Sequence, residues 1–147
     1  MKRLSALTSS TCGILLATVL NAQIAGVRTV YILPMAGGLD QFLAAELTRE
    51  HVLQVVADPK TADAVLTDYL GEGFEKRVAK IHPRDEDKDD TGEIHPSFQS
   101  GKSKGTVFLV DLKSRNVLWS DYEKPSRSPN REAARVVEKL RKVNKGK

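Results

Sequence analysis

Residues 106–112 (TVFLVDL) are apolar on both sides: Val107 and Leu109 fall on one face of an extended strand, Phe108, Val110 and Leu112 on the other. A strand with two apolar faces must be covered twice, by helices on one side and by helices or a partner on the other, and it therefore belongs inside a sheet. That requirement selects an α/β architecture if the rest of the chain supplies the covering helices.

It does. Residues 28–33 (RTVYIL) are strand-like in composition, and Pro34 and the Gly37-Gly38 pair break the chain before a helix. In that helix Leu39, Phe42, Leu43 and Leu47 share one face, and Asp40 occupies the first turn, where the helix dipole favours an anion. Residues 53–57 (LQVVA) read as a second strand, Asp58-Pro59 as the cap and first position of a brief helical turn, and residues 64–70 (AVLTDYL) as a third strand. Residues 71–81 form a short amphipathic helix carrying Phe74, Val78 and Ile81, weakened by Gly73. Residues 117–122 (VLWSDY) pair with 106–112 as a hairpin across Lys113-Ser114-Arg115-Asn116, with Asn116 suited to the left-handed position. Ser128-Pro129 opens a last helix whose apolar face is Ala133, Val136, Val137, Leu140 and Val143. The expected fold is α/β: a single two-layer sandwich, a mixed sheet of about four to five strands with an early and a C-terminal helix packed on it.

Residues 1–22 stand apart from this pattern. Lys2 and Arg3 precede a short apolar run at residues 12–20 (CGILLATVL), and Leu20-Asn21-Ala22 provides a small-residue exit before Gln23. This is the layout of a secretory signal peptide, and the run falls short of the roughly 20 apolar residues of a membrane span. The expected organisation is a signal at 1–22 followed by one domain at 23–147, soluble in the periplasm or outside the cell. Cys12 is the only cysteine. Residues 7–11 upstream of it do not form a lipobox, so its removal with the signal is expected, with lipidation there as the alternative. A cleaved product would have no disulfide, thiolate metal site or cysteine nucleophile. The chain carries +4, and without Lys2 and Arg3 the excess is +2, too mild to argue for nucleic acid.

Residues 82–104 break the rhythm with two His-Pro pairs and the acidic run at 85–90, and read as a surface loop. Asp87, Asp89, Thr91 and Gly92 fit the early positions of a calcium loop, but Phe98 stands where the bidentate glutamate is needed. A solvated acidic loop is the alternative to calcium. Gly101-Lys102-Ser103 echoes the end of a phosphate-binding loop without its first glycine, and Gly37-Gly38 could present amides to an anion or simply turn the chain. His51, His82 and His95 fall in no metal-ligand spacing. Arg131, Arg135, Lys139 and Lys142 align on one face of the last helix, as a dock for an acidic partner or as an ordinary solvated face. Under the docking reading, reversing Arg135 and Lys139 weakens partner capture and leaves the melting temperature unchanged.

The stretches VYILPMAGGLDQFLAAELTRE, QVVADPKTADAVLTDYL and VFLVDLKSRNVLWS, followed by an amphipathic helix, together resemble a family of small bacterial envelope domains. That family includes the periplasmic domain of the curli-secretion channel, the lipoprotein activators of penicillin-binding proteins, and the amino-terminal domain of the Tol translocation protein TolB. The shared features are centred on Ala62-Asp63-Ala64-Val65-Leu66 and on the hairpin from Val110-Asp111-Leu112 to Leu118-Trp119-Ser120, with Asn116 where relatives commonly carry glycine. The resemblance implies an exported, non-enzymatic accessory module whose partner is another envelope protein, with no cofactor, and leaves homo-oligomerisation open. Two other classes compete. A structural subunit of an envelope assembly would show an exposed apolar strand edge around residues 107–110, and a small hydrolase or metal-dependent enzyme would show His, Asp or Ser gathered at strand ends.

Overall fold

The computed structural model describes Ile24 and residues 26–85 and 105–145 of the 147-residue chain. Its elements are β1 (Thr29–Ile32), α1 (Leu39–Glu50), β2 (Gln54–Val55), β3 (Ala64–Thr67), α2 (Glu72–Ile81), β4 (Thr106–Asp111), β5 (Val117–Tyr122) and α3 (Pro129–Asn144). Short 3-10 turns at Ala36–Gly38 and Pro59–Thr61 connect them, the second capped by the Asp58 carboxylate, which accepts the Lys60 N–H at 2.9 Å. The five strands form one mixed sheet in the order β2-β1-β3-β4-β5. β1 runs parallel to both β2 and β3, while β3–β4 and β4–β5 are antiparallel. The fold is the expected α/β sandwich.

The doubly apolar strand is covered on both sides. On one face Val107 and Leu109 join Val30, Ala64 and Leu66 beneath Leu39, Leu43 and Leu47 of α1 and Ala133, Val136, Val137 and Leu140 of α3. On the other, Val110 and Leu112 meet Leu33, Ala62 and Val65 under Phe74 and Val78 of α2. Each fully buried leucine or phenylalanine contributes about 1.5–3 kcal/mol of transfer free energy, so the larger cluster under two helices carries most of the stabilisation. Among the described residues no helix is long and apolar enough to cross a membrane.

As its two apolar faces require, residues 107–110 are interior: Val107, Leu109 and Val110 are buried and β4 is paired on both sides, so the exposed apolar edge that a structural subunit would show there is not found. Other local expectations are corrected. Phe42 lies on the surface at 42% exposure, because at about 100° per residue it projects roughly 60° from Leu39 on the side away from Leu47. Glu46 takes the inner position instead, with Arg49 as its ion partner. β3 ends at Thr67, three residues early, because the Thr67 hydroxyl exchanges hydrogen bonds with the N–H and carbonyl of Tyr69 and turns the chain. β2 shrinks to Gln54–Val55.

In the β4–β5 turn the left-handed residue is Arg115 (φ 60°), not Asn116. The Asp111 carboxylate accepts the N–H groups of Lys113 (3.0 Å) and Ser114 (2.7 Å), which fixes the first half of the turn and passes the reversal to Arg115. The strain has a return: the Arg115 guanidinium donates to the His82 carbonyl at 2.8 Å, placing a cation at the C-terminus of α2.

Candidate functional site

Three places in the fold concentrate polar groups. The first is Asp63, from the segment that carries the family resemblance. One oxygen of its carboxylate accepts the N–H groups of Arg28 and Thr29, each at 2.9 Å. Its own N–H meets the Thr29 hydroxyl at 2.9 Å, and its carbonyl accepts the Leu112 N–H at 3.0 Å. Asp63 thus ties the start of β1 and the end of β4 to the start of β3. The backbone donors of Thr29 and Arg28 hold its carboxyl below the ordinary range. Because the folded pKa lies below the unfolded one, this contribution is full above the unfolded value and is lost as pH falls through the folded one. Asp63→Asn is expected to lower stability by about 1 kcal/mol at pH 7. It should also flatten the acid limb of stability against pH, measured by urea unfolding across that limb; an unchanged limb would refute the assignment.

The second place is the crevice beyond the carboxyl ends of β1 and β3. The chain leaves β1 toward α1 on one face and leaves β3 toward α2 on the other, so this is a topological switch point, where open α/β sheets commonly bind ligands. Gly37 and Gly38 turn here with φ of 69° and 74°, which suits glycine. The amides beside the pair are engaged within the protein: Met35 N–H donates to Asp40 at 3.2 Å, Ala36 N–H to Asp68 at 3.1 Å and Gly38 N–H to the Met35 carbonyl at 3.4 Å. The glycine pair is therefore a turn closed by the protein's own carboxylates. Burial pushes the Asp68 carboxyl above the ordinary range, the Ala36 N–H opposes this, and Asp40 adds to it. With a raised folded pKa the ionised form penalises folding at neutral pH, and the penalty fades as pH falls through that pKa. Asp68→Asn is accordingly expected to raise the melting temperature at pH 7, with the gain vanishing near pH 4. Equal melting temperatures at pH 7 would refute it.

The third place is the outer edge of the sheet, where α3 overlies β5. Lys139 lies between the Asp121 carboxylate (2.9 and 3.0 Å) and that of Glu123, and Arg135 reaches Glu123 at 3.3 Å. The Lys139 ammonium holds the Glu123 carboxyl below its usual range, and Glu123, followed by Asp121, pushes Lys139 up. Of the four aligned cations, Arg135 and Lys139 thus pin α3 to the β5 edge. Lys142 remains 73% exposed, 3.7 Å from Glu138, and Arg131 is exposed. Reversal of Lys139 would set a third acid beside Asp121 and Glu123, so an unchanged melting temperature is no longer expected for that pair; Arg131 and Lys142 are the cations free of this role.

β5 itself has one open side. Glu123 N–H donates to the Gly105 carbonyl at 2.7 Å, so Glu123, Asp121 and Trp119 face β4, and the antiparallel alternation turns the N–H and C=O groups of Ser120 and Tyr122 outward. No described residue takes up those outward groups. Tyr122 is 63% exposed on the same edge. The single tryptophan, Trp119, packs on the larger core cluster together with Leu118, because a register shift leaves Leu118 as an extra residue between the pairs Val110–Val117 and Leu109–Trp119. The sequence signals the hairpin but not this open edge, which depends on where the other three strands join.

Among the described residues no group of three or more His, Cys, Asp or Glu could hold a metal ion. His51 caps α1, and His82 ends α2 with its carbonyl bonded to Arg115. The calcium-loop candidates Asp87, Asp89 and Thr91, together with His95, Gly101-Lys102-Ser103 and residues 1–22, lie outside the described residues. No family model, curated protein or solved structure matches the chain.

Proposed function

We propose that the chain is an exported accessory domain of the bacterial envelope that acts by binding another envelope protein and carries out no chemistry of its own. The observation that supports this reading is the open β5 edge: outward backbone groups at Ser120 and Tyr122 beside an exposed aromatic ring, the kind of surface on which an extended segment docks. The polar clusters elsewhere are engaged by the protein's own groups. Asp63 and Asp68 bond backbone amides, and Asp121 and Glu123 bond α3, in the manner of groups that hold a fold together. The apolar run and small-residue exit of residues 1–22 support export.

The test is photocrosslinking in native cells from a benzophenone side chain at position 122, with mass spectrometry of the captured species and of the mature amino terminus. A covalent adduct with an envelope protein and an amino terminus at Gln23 are expected. A cytoplasmic protein that retains Met1 would overturn export, and a purified enzyme activity would overturn the accessory role.

A further inference from the structure

Resting on the binding-module reading, we infer that the β5 edge receives an extended segment of its partner as a sixth strand, one that alternates acidic with apolar or aromatic side chains. The sheet has two edges, and they are unequal. β2 offers two residues, whereas β5 offers six with their outer side open among the described residues. A long open edge is a template for strand addition, and native proteins commonly blunt such edges with bulges, prolines or charges. Here the irregularity at Leu118 disturbs only the first half, so Ser120 and Tyr122 remain in regular register with β4, opposite Phe108 and Thr106.

The two faces of the edge then select the partner's side chains. Successive residues of an added strand point alternately toward α3 and away from it. Toward α3 they meet the row of cations on that helix, Arg131, Arg135, Lys139 and Lys142, of which Arg131 is exposed and Lys142 keeps 73% of its side-chain surface exposed. Asp121 and Glu123 are already engaged by Lys139 and Arg135, whose side chains keep 42% and 51% of their surface exposed. Carboxylates of an incoming strand are favoured in that field. Away from α3 they meet Tyr122 and Val117, exposed on the face shared with half-buried Phe108. Apolar and aromatic side chains cover these best, in cross-strand pairs. The same charges disfavour a second copy of this chain, since pairing β5 with itself would bring two of these cationic rows to one seam.

The experiment uses the full chain and blocked synthetic peptides of about eight residues, long enough to match one strand. One alternates glutamate with valine and threonine; its counterpart carries lysine in place of glutamate. Trp119, the only tryptophan, lies in β5 and reports binding by its emission, while amide exchange followed by NMR reads Ser120 and Tyr122 directly. The glutamate peptide is expected to bind at least about tenfold more tightly than the lysine peptide at low salt, with the preference shrinking as salt rises. It should also slow exchange of the Ser120 and Tyr122 amides.

Ser120→Pro removes an outward donor without taking a bond from β4, and should abolish slowing at Tyr122 while the far-ultraviolet circular dichroism is kept. If that variant fails to fold, Arg131→Glu combined with Lys142→Glu serves instead, and should reverse the peptide preference. Equal binding of the two peptides, binding that leaves both amides unprotected, or self-association that protects them without peptide would each overturn the inference. An in-cell crosslink to an envelope protein from a surface remote from β5 would overturn the edge and leave the accessory-domain reading standing.

Discussion

Replacing Gly105 by alanine is expected to remove about 4 kcal/mol of stability, a large part of what a domain of this size possesses. Gly105 has a φ of +92°, a region that side-chain-bearing residues rarely enter, and an added Cβ would sit 1.7 Å from the Glu123 carbonyl oxygen and 2.9 Å from its carbon. Both are backbone atoms, so no rotamer change relieves the overlap. The strands would have to part where the Glu123 N–H meets the Gly105 carbonyl, and Glu123 would be drawn away from Arg135 and Lys139. Denaturant unfolding measures the effect, with Gly73→Ala as the comparison. Gly73 lies in α2 with nothing within 4 Å of an added Cβ and no positive φ, so alanine there should stabilise by about 0.5–1 kcal/mol. A loss below about 1 kcal/mol for Gly105→Ala would contradict the close approach of β4 and β5 at this end.

Phe74→Ala should remove about 3–5 kcal/mol from the docking of α2, and its effect should be local. Only Phe74 and Val78 of that helix are buried, and the Phe74 ring also meets Tyr69 edge-to-face, with centroids 6.3 Å apart at 85°. Without the ring, Val78, the half-buried Ile81 and the contacts of Arg115 with the His82 carbonyl and Glu75 are left to hold α2 on its face of the sheet. The opposite face, buried under α1 and α3, is untouched. Amide exchange is therefore expected to lose protection through α2 while α1 and α3 keep theirs, the behaviour of a subunit of lower local stability. Leu43→Ala provides the contrast. Leu43 sits fully buried in the larger cluster, and its truncation by about 3 kcal/mol should lower protection throughout. A uniform loss after Phe74→Ala would mean that the two faces unfold as one unit.

Most of the fold was legible because its signals are local. The i, i+4, i+8 leucines of α1, the Ser128-Pro129 start of α3 and the two-faced apolar strand β4 each follow from a repeat length and a side-chain type. Errors arose where a nearby polar side chain took a place that the apolar pattern did not assign to it. Asp111 moved the left-handed residue of the hairpin turn from Asn116 to Arg115, and Glu46 with its Arg49 partner took the inward place that the periodicity assigned to Phe42. The basic stripe of α3 was legible as a row of four cations, yet their division into two that clamp β5 and two that do not was invisible without the positions of Asp121 and Glu123.

The amino-acid sequence by itself determined the element types, their order and the faces they bury, because helix and strand periodicities are written in neighbouring residues. It also carried the charge pattern and the export-like segment on which the functional proposal partly rests. Only the tertiary structure decided that β5 is an edge strand, that the turn at residues 35–38 is bonded to Asp40 and Asp68, and that Gly105 must remain glycine. Each of these depends on contacts between segments far apart in the chain, for which a local pattern of side chains holds no information.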